Sequence, residues 1–268
     1  MVGKTEVIDQ LYENHAVVVT VQAQKYINKL QNDTFFFEEC LRLLPLNNAV
    51  LKKRYFEDQV TTLINRLLQL WGSRCAVGND DLRNKIKFSK GQYGKPVLTD
   101  HHPQVTFSMT NGKLITSMFI TRDIFQDVGI DIASVDDHTG DRFDIFHDIL
   151  APKEINSLQN PQFSAVEKRK LFARIWSIKE SYTKFTGQGL NCDLQKIFLP
   201  DISPTETVII RTSTVGTESN KMTFVSRWID FSNVLTVCYP FGSTINSHAL
   251  SFISVDLLDV IHDLQQSE

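Results

Sequence analysis

Four cysteines in 268 residues, at 40, 75, 192 and 238, form no C-x-x-C pair and stand near no histidine at zinc-finger spacing. A disulfide framework and a structural zinc site are therefore excluded as organising devices, and the thiols read as reduced core residues of a cytoplasmic protein. No excess of basic charge is present either: 28 Lys and Arg face 31 Asp and Glu, for a formal net charge of −3. A chain that wraps nucleic acid is excluded on that balance, and any anion site must be local. No segment approaches the roughly 20 apolar residues of a membrane span. The first residues carry no basic stretch followed by a long apolar core, their longest apolar run being Ala16-Val-Val-Val19, so no secretory leader is expected. G-x-S-x-G, H-E-x-x-H and G-x-x-x-x-G-K-[ST] are all missing, which removes the commonest hydrolase, zinc-protease and P-loop signatures.

What is there is a globular composition, 42% hydrophobic and 22% charged, long enough for one large domain or two small ones. Leu51, Tyr55, Leu63, Leu67 and Leu70 recur at helical spacing, predicting a helix over 51–71 that Gly72 ends. Lys85-Ile-Lys-Phe-Ser reads as a short strand entering a Gly/Pro turn at 90–96, and two β-rich runs at 105–109 and 114–120 flank Asn111-Gly112 as a hairpin. In Asp127-Val-Gly-Ile-Asp-Ile132 the apolar residues alternate, the period of a half-buried strand with Asp131 and Ala133 on one face. Ser164-Ala-Val-Glu167 is a capping box opening a helix whose core stripe is Leu171, Ile175, Ile178, Tyr182 and Phe185, with Gly187 at its end. Three strand patterns and an apolar helix near 255–261 follow. Without strict βαβα alternation the expected class is α+β, two similar lobes each with helices on a small, mainly antiparallel sheet. The boundary is placed between residues 124 and 125.

Several constellations invite chemistry. Glu180 and Lys184 lie one helical turn apart, off the core stripe; alone, such a pair is an ordinary surface contact of ~0.3–0.5 kcal/mol. Asp131 inside an apolar strand needs a cation, a metal or solvent at the strand end. Lys90 and Lys95 bracket a glycine-bearing turn suited to a phosphate or simply to water, and Lys52-Lys-Arg54 at a helix start opposes the helix dipole. His101-His102-Pro103 reads as a solvated turn and Phe35-Phe-Phe37 as core.

Val128-Gly-Ile-Asp131-Ile-Ala133 together with Trp176-Ser-Ile-Lys-Glu180-Ser-Tyr-Thr-Lys184 resembles the signature pair of the 4′-phosphopantetheinyl transferases. Gly94-Lys95-Pro96, Phe107-Ser-Met-Thr-Asn111, Glu154 and Gly187-x-Gly189-Leu190 are similar to the rest of that family in the right order, from about Leu43 to Leu190. Size and layout resemble its long, monomeric, pseudo-dimeric branch, and the wording around Asp131 and Glu180 resembles the fungal enzymes of lysine biosynthesis.

The resemblance implies transfer of 4′-phosphopantetheine from coenzyme A to a serine of an apo carrier domain, that of α-aminoadipate reductase, with release of 3′,5′-ADP. It implies Mg2+, with Mn2+ as an alternative, held by Asp131 and Glu180 on the pyrophosphate, because magnesium prefers oxygen ligands. Glu180 is the first candidate for the base and Asp131 the second, while Lys184 meets the charge on the leaving nucleotide. Lys52 or Lys53, with Lys90, Lys95, Ser108, Thr110 and Asn111, would contact coenzyme A, and Glu154 would either support the site or be a solvated acid. Two departures stand out: Ala133 where many bacterial members have a glutamate ligand, and Asn111 where the family often has histidine. A non-catalytic coenzyme A-binding module and a Mg2+-dependent phosphohydrolase remain the competing functions.

Overall fold

The structure is a computed structural model that describes residues 2–45, 48–78, 86–91, 94–99, 104–122, 127–138, 140, 142–215 and 221–266. In chain order its helices are α1 (Val2–Glu13), α2 (Gln24–Asn32), α3 (Thr34–Arg42), α4 (Asn48–Leu51), α5 (Phe56–Val77), α6 (Pro152–Leu158), α7 (Ala165–Thr186) and α8 (Leu257–Gln266). The strands are β1 (Ala16–Gln22), β2 (Lys87–Lys90), β3 (Pro96–Thr99), β4 (Thr106–Asn111), β5 (Ile115–Thr121), β6 (Gly129–Ser134), β7 (Val208–Thr214), β8 (Lys221–Trp228), β9 (Asn233–Pro240) and β10 (Ser251–Ser254). The expected α+β class holds. The histidine pair at 101–102 lies outside the described residues.

The chain forms two compact units. One contains Met1–Ser89, Pro96–Phe125 and Thr244–Glu268; the other contains Lys90–Lys95 and Gln126–Ser243. A single cut between 124 and 125 thus becomes an interleaved division. The C-terminal segment joins the first unit through β10, which returns to lie parallel to β1 with Val17 opposite Ser251 and Thr20 opposite Ser254. Lys4 of α1 bonds Asp263 of α8 at 2.6 Å, a second tie to the first unit.

In the first unit the sheet order is β10-β1-β5-β4. Val17, Val19 and Val21 of β1 and Met118 and Ile120 of β5 join Leu63, Leu67 and Trp71 of α5 in one core, as strand alternation and helical spacing require. The helix expected to stop at Gly72 instead runs on to Val77 and is closed by Gly78, at φ +94°. Packing explains this: a Cβ on Gly72 would lie 2.6 Å from Met118 Sδ, so the glycine admits a methionine rather than ending the helix. Leu51 ends α4, and Lys52-Lys-Arg54 fall in the link before α5. The 106–111/115–121 hairpin forms as its sequence suggests, with the N–H of Gly112 bonded to the carbonyl of Ile115 at 2.8 Å.

In the second unit β6, β9, β8 and β7 form an antiparallel sheet in that order, covered by the 22-residue α7. The other unit likewise carries one 22-residue helix, α5. Ser164 caps α7 as expected, its N–H bonded to Glu167 Oε2 at 2.8 Å, and Gly187 ends the helix in the left-handed region at φ +73°. Ile178, Tyr182, Met222, Phe224 and Cys238 share a core. β6 is buried on both faces up to Ala133 rather than half-buried. All four cysteines are free thiols; burial pushes Cys40 and Cys75 up to about 12. Of the three consecutive phenylalanines only Phe37 is core, whereas Phe35 is 69% exposed. No described helix is long and apolar enough to cross a membrane.

Candidate active site

α7 approaches β6 unusually closely. A Cβ on Gly129 would sit 1.9 Å from the carbonyl oxygen of Ser181 and 2.7 Å from the nitrogen of Phe185, so only glycine allows this contact. Asp131, two residues along on the same strand face, is 7% exposed. Lys184 reaches across from α7 and donates to Asp131 Oδ1 at 2.7 Å. The lysine read as a surface partner of Glu180 is thus bonded to a buried acid on the neighbouring strand.

Glu180 lies one turn before Lys184 and is half-buried. Burial raises its carboxyl pKa, the negative charge of Asp131 adds to that rise, and Lys184 and a hydrogen bond from Thr183 oppose it. Two carboxylates that repel each other beside one ammonium make a local anionic focus. The donor set fits a hard divalent cation, since two carboxylate ligands leave room for waters and phosphate oxygens. Among the described residues there is no group of three or more His, Cys, Asp and Glu side chains that could hold a metal. Ala133 adds no ligand: it packs with Ala173 and Val234 beneath Trp176 and Trp228.

Glu154 is not a solvated acid. It is 4% exposed, and its Oε2 accepts from the N–H of Ala151 at 2.7 Å and pairs with Lys179 at 2.9 Å. Lys179, 1% exposed, spends its other donors on the carbonyls of Leu194 and Ile197, at 2.8 and 2.7 Å. Burial raises the Glu154 pKa and lowers that of Lys179, with each partner's charge opposing the shift. Sequence reasoning passed over Lys179. The available signal was its position four residues after Ile175, on the helix face that otherwise reads as core. Glu154 also lines a cavity of about 390 Å3 together with Lys153, Phe163, Leu171 and Phe198, without Asp131, Glu180 or Lys184.

Lys95 is 13% exposed and its ammonium meets three acceptors: Asp127 Oδ1 at 3.1 Å, the carbonyl of Val128 at 2.9 Å and that of Phe185 at 3.3 Å. It therefore joins the start of β6 to the last turn of α7, where a cation suits the helix dipole. Burial lowers its pKa, and Asp127 opposes the change. Lys90, at the end of β2, is exposed.

The remaining sequence candidates belong to the other unit. Lys52 and Lys53 are exposed, and the Lys53 carbonyl accepts from Gln59 at 2.9 Å. Ser108 and Thr110 are buried on one face of β4. Asn111 alternates onto the opposite face, where its Oδ1 accepts from Asn65 of α5 at 3.1 Å. Ser108, Thr110 and Asn111 of β4 thus do not present a single surface.

The family model described as "4'-phosphopantetheinyl transferase superfamily" matches residues 127–233, a span that encloses Asp131, Glu180 and Lys184. The L-aminoadipate-semialdehyde dehydrogenase-phosphopantetheinyl transferase of Candida glabrata is 37% identical over 229 residues, covering 84% of each chain. The protein of the same name from Saccharomyces cerevisiae is 33% identical over 276 residues, covering 97% of each. The 4′-phosphopantetheinyl transferase HetI of Nostoc sp. is 26% identical over 131 residues, covering 48% of this chain and 52% of its own. Similarity at 37% and 33% identity that runs through both units, with a family model matched over the span that holds Asp131, Glu180 and Lys184, places this chain in the 4′-phosphopantetheinyl transferase superfamily.

Proposed function

We propose that the chain moves 4′-phosphopantetheine from coenzyme A onto a serine hydroxyl of an apo carrier domain, that of α-aminoadipate reductase in lysine biosynthesis, as a holo-[acyl-carrier-protein] synthase type of transferase. The observation that carries this is the meeting of Asp131, Glu180 and Lys184 where α7 touches β6. The names of the two fungal relatives support the choice of carrier.

In the reaction the serine oxygen forms a bond to the β-phosphorus of coenzyme A, and the bond from that phosphorus to the bridging oxygen breaks. The bridging oxygen leaves on 3′,5′-ADP, and the serine proton must go to a base. Glu180 takes it, since burial and the neighbouring Asp131 charge raise its proton affinity above that of an ordinary glutamate. Asp131 is the second candidate. Lys184, already poised at Asp131, stabilises the charge that grows on the departing nucleotide. A Mg2+ ion, or Mn2+ in its place, held by Asp131 and Glu180 would neutralise the pyrophosphate.

Lys52, Lys53 and Lys90 offer exposed cations, and Asn111, the exposed member of the three β4 candidates, offers a hydrogen bond, to the nucleotide part of coenzyme A, while Ser108 and Thr110 are buried on the opposite face of that strand. Asn111 brings no charge to a phosphate. Lys95 takes part chiefly by holding β6 to α7. A monomer acting in the cytoplasm completes the proposal.

Intact-mass spectrometry of an apo carrier domain incubated with the protein, coenzyme A and Mg2+ tests it. The expected result is a mass gain of one phosphopantetheine, abolished by EDTA and by serine-to-alanine in the carrier. No gain with either an α-aminoadipate reductase carrier or a fatty-acid synthase carrier would overturn it.

A further inference from the structure

Ser177 stands three residues before Glu180 and seven before Lys184, on the same side of α7. It is completely buried, and its Oγ lies 2.6 Å from Thr236 Oγ1 of β9. Thr236 is the register partner of Asp131 on β6 and of Ser226 on β8. Residues directly opposite in an antiparallel sheet share a face. Asp131, Thr236 and Ser226 therefore form one row across the sheet beneath α7. Thr236 donates to Ser226 Oγ at 3.1 Å, and Ser177 is 3.1 Å from the carbonyl of Arg174, to which it can donate.

Hydroxyls hidden from water are costly unless bonded, and alanine or valine would fill the same space without that requirement. One helical turn toward the helix N-terminus the contact is plain packing of Ala133 on Ala173 and Val234, and one turn the other way it is Gly129 under Ser181. Neither contact is directional. A hydroxyl bond is, with a preferred distance and angle, and it sits at the level of Asp131.

We propose that the Ser177–Thr236–Ser226 hydroxyl chain is a positioning device that fixes the height and roll of α7 over β6, so that Glu180 and Asp131 face the same cation. This rests on the function proposed above. The three residues touch neither substrate nor metal; they set where the two carboxylates stand. Loss of the chain leaves the apolar contacts in place and lets the helix settle at a slightly different height.

Thr236→Val is nearly isosteric and removes the central hydroxyl, whereas Thr236→Ser retains it. Coenzyme A-dependent Mn2+ binding, read by electron paramagnetic resonance with no carrier present, reports the site without turnover; kcat and the KM for coenzyme A are measured beside it. Thr236→Val is expected to weaken Mn2+ binding and kcat by ~10-fold or more, the usual effect of losing a group that orients a metal ligand, and Thr236→Ser is expected to restore most of both. A folded Thr236→Val protein with Mn2+ binding and kcat at the wild-type level overturns the proposal. Should that variant fail to fold, Ser177→Ala is judged by the same two readouts. A wild-type protein that neither binds Mn2+ with coenzyme A nor loads a carrier strikes the functional proposal itself, whereas an active wild type with indifferent variants strikes only the hydroxyl chain.

Discussion

Gly129→Ala tests the strand–helix contact on which the site depends. The glycine has no positive φ to protect, so the cost is one of space. An added Cβ at 1.9 Å from the Ser181 oxygen must reach about 3.4 Å for ordinary contact, and the obstacle is backbone, which no rotamer change removes. β6 and α7 must therefore part by ~1.5 Å along that line, the difference of those two distances. Ser181 directly follows Glu180, and Asp131 is two residues from the glycine. If the whole displacement fell on the 2.7 Å bond between Lys184 and Asp131, it would stretch beyond hydrogen-bonding distance. Overpacking of this kind costs ~1–3 kcal/mol and occasionally more, and each kcal/mol lowers the melting temperature of a chain of this size class by ~2–4 °C. A misplacement of ~1 Å near the reacting atoms lowers kcat by ~10²-fold. Calorimetric melting paired with carrier-loading kinetics reads both effects. Wild-type Tm together with wild-type kcat in this variant would refute the close contact and the reasoning built on it.

Four further outcomes follow from the carboxylate site and from the buried Glu154–Lys179 pair. Glu180→Gln should lower kcat by ~10²-fold or more while leaving the fold intact; a variant within a few-fold of wild type would remove Glu180 from the chemistry. Because its pKa is raised, the Glu180 carboxyl of the protein freed of divalent metal by EDTA should titrate above the ordinary glutamate range near ~4.3 when followed by carboxyl NMR, and a titration at or below that range would count against the burial and the Asp131 repulsion that raise it. The sign for stability is the reverse of the usual carboxylate: the folded state holds the Glu180 proton longer, so stability falls as pH rises from the unfolded pKa through the raised folded one, and Glu180→Gln should flatten that part of the curve. Glu154→Gln strips the buried Lys179 of its counter-charge and should cost ~3–5 kcal/mol in denaturant unfolding, of which Glu154→Gln/Lys179→Met recovers a large part. A loss below ~1 kcal/mol, the level of an exposed pair, would mean that the pair is solvated.

Signals confined to a few neighbouring residues were legible in the sequence. The Ser164–Glu167 box, Gly187 and the Asn111-Gly112 hairpin each satisfy a local backbone requirement, and all three form. Asp131, Glu180 and Lys184 stood out through their spacing and their likeness to a family. Signals that depend on distant partners were not legible. Gly72 looks like a helix end until Met118 is placed against it. The Lys184–Asp131 bond joins residues 53 positions apart, and helical spacing alone points instead to Glu180. β1 and β10 are short apolar stretches at opposite ends of the chain, and nothing local to either predicts their parallel pairing. Lys95 resembles a loop lysine because its acceptors at Val128 and Phe185 are recruited from elsewhere in the chain.

The pairing of β10 with β1 has a consequence for biosynthesis. A ribosome releases residues in order, and domains generally fold as units as they emerge. Here the unit that begins first cannot be completed first: β1 waits for Thr244–Glu268, made after the whole of Gln126–Ser243. The second unit, with Asp131, Glu180 and Lys184, can be finished while the first still exposes one side of β1. A premature stop near residue 244 should therefore leave the carboxylate site encoded and its unit able to fold, yet deprive the earlier-made unit of a strand and of α8. Such truncations should be recognised by chaperones and proteases through the first unit.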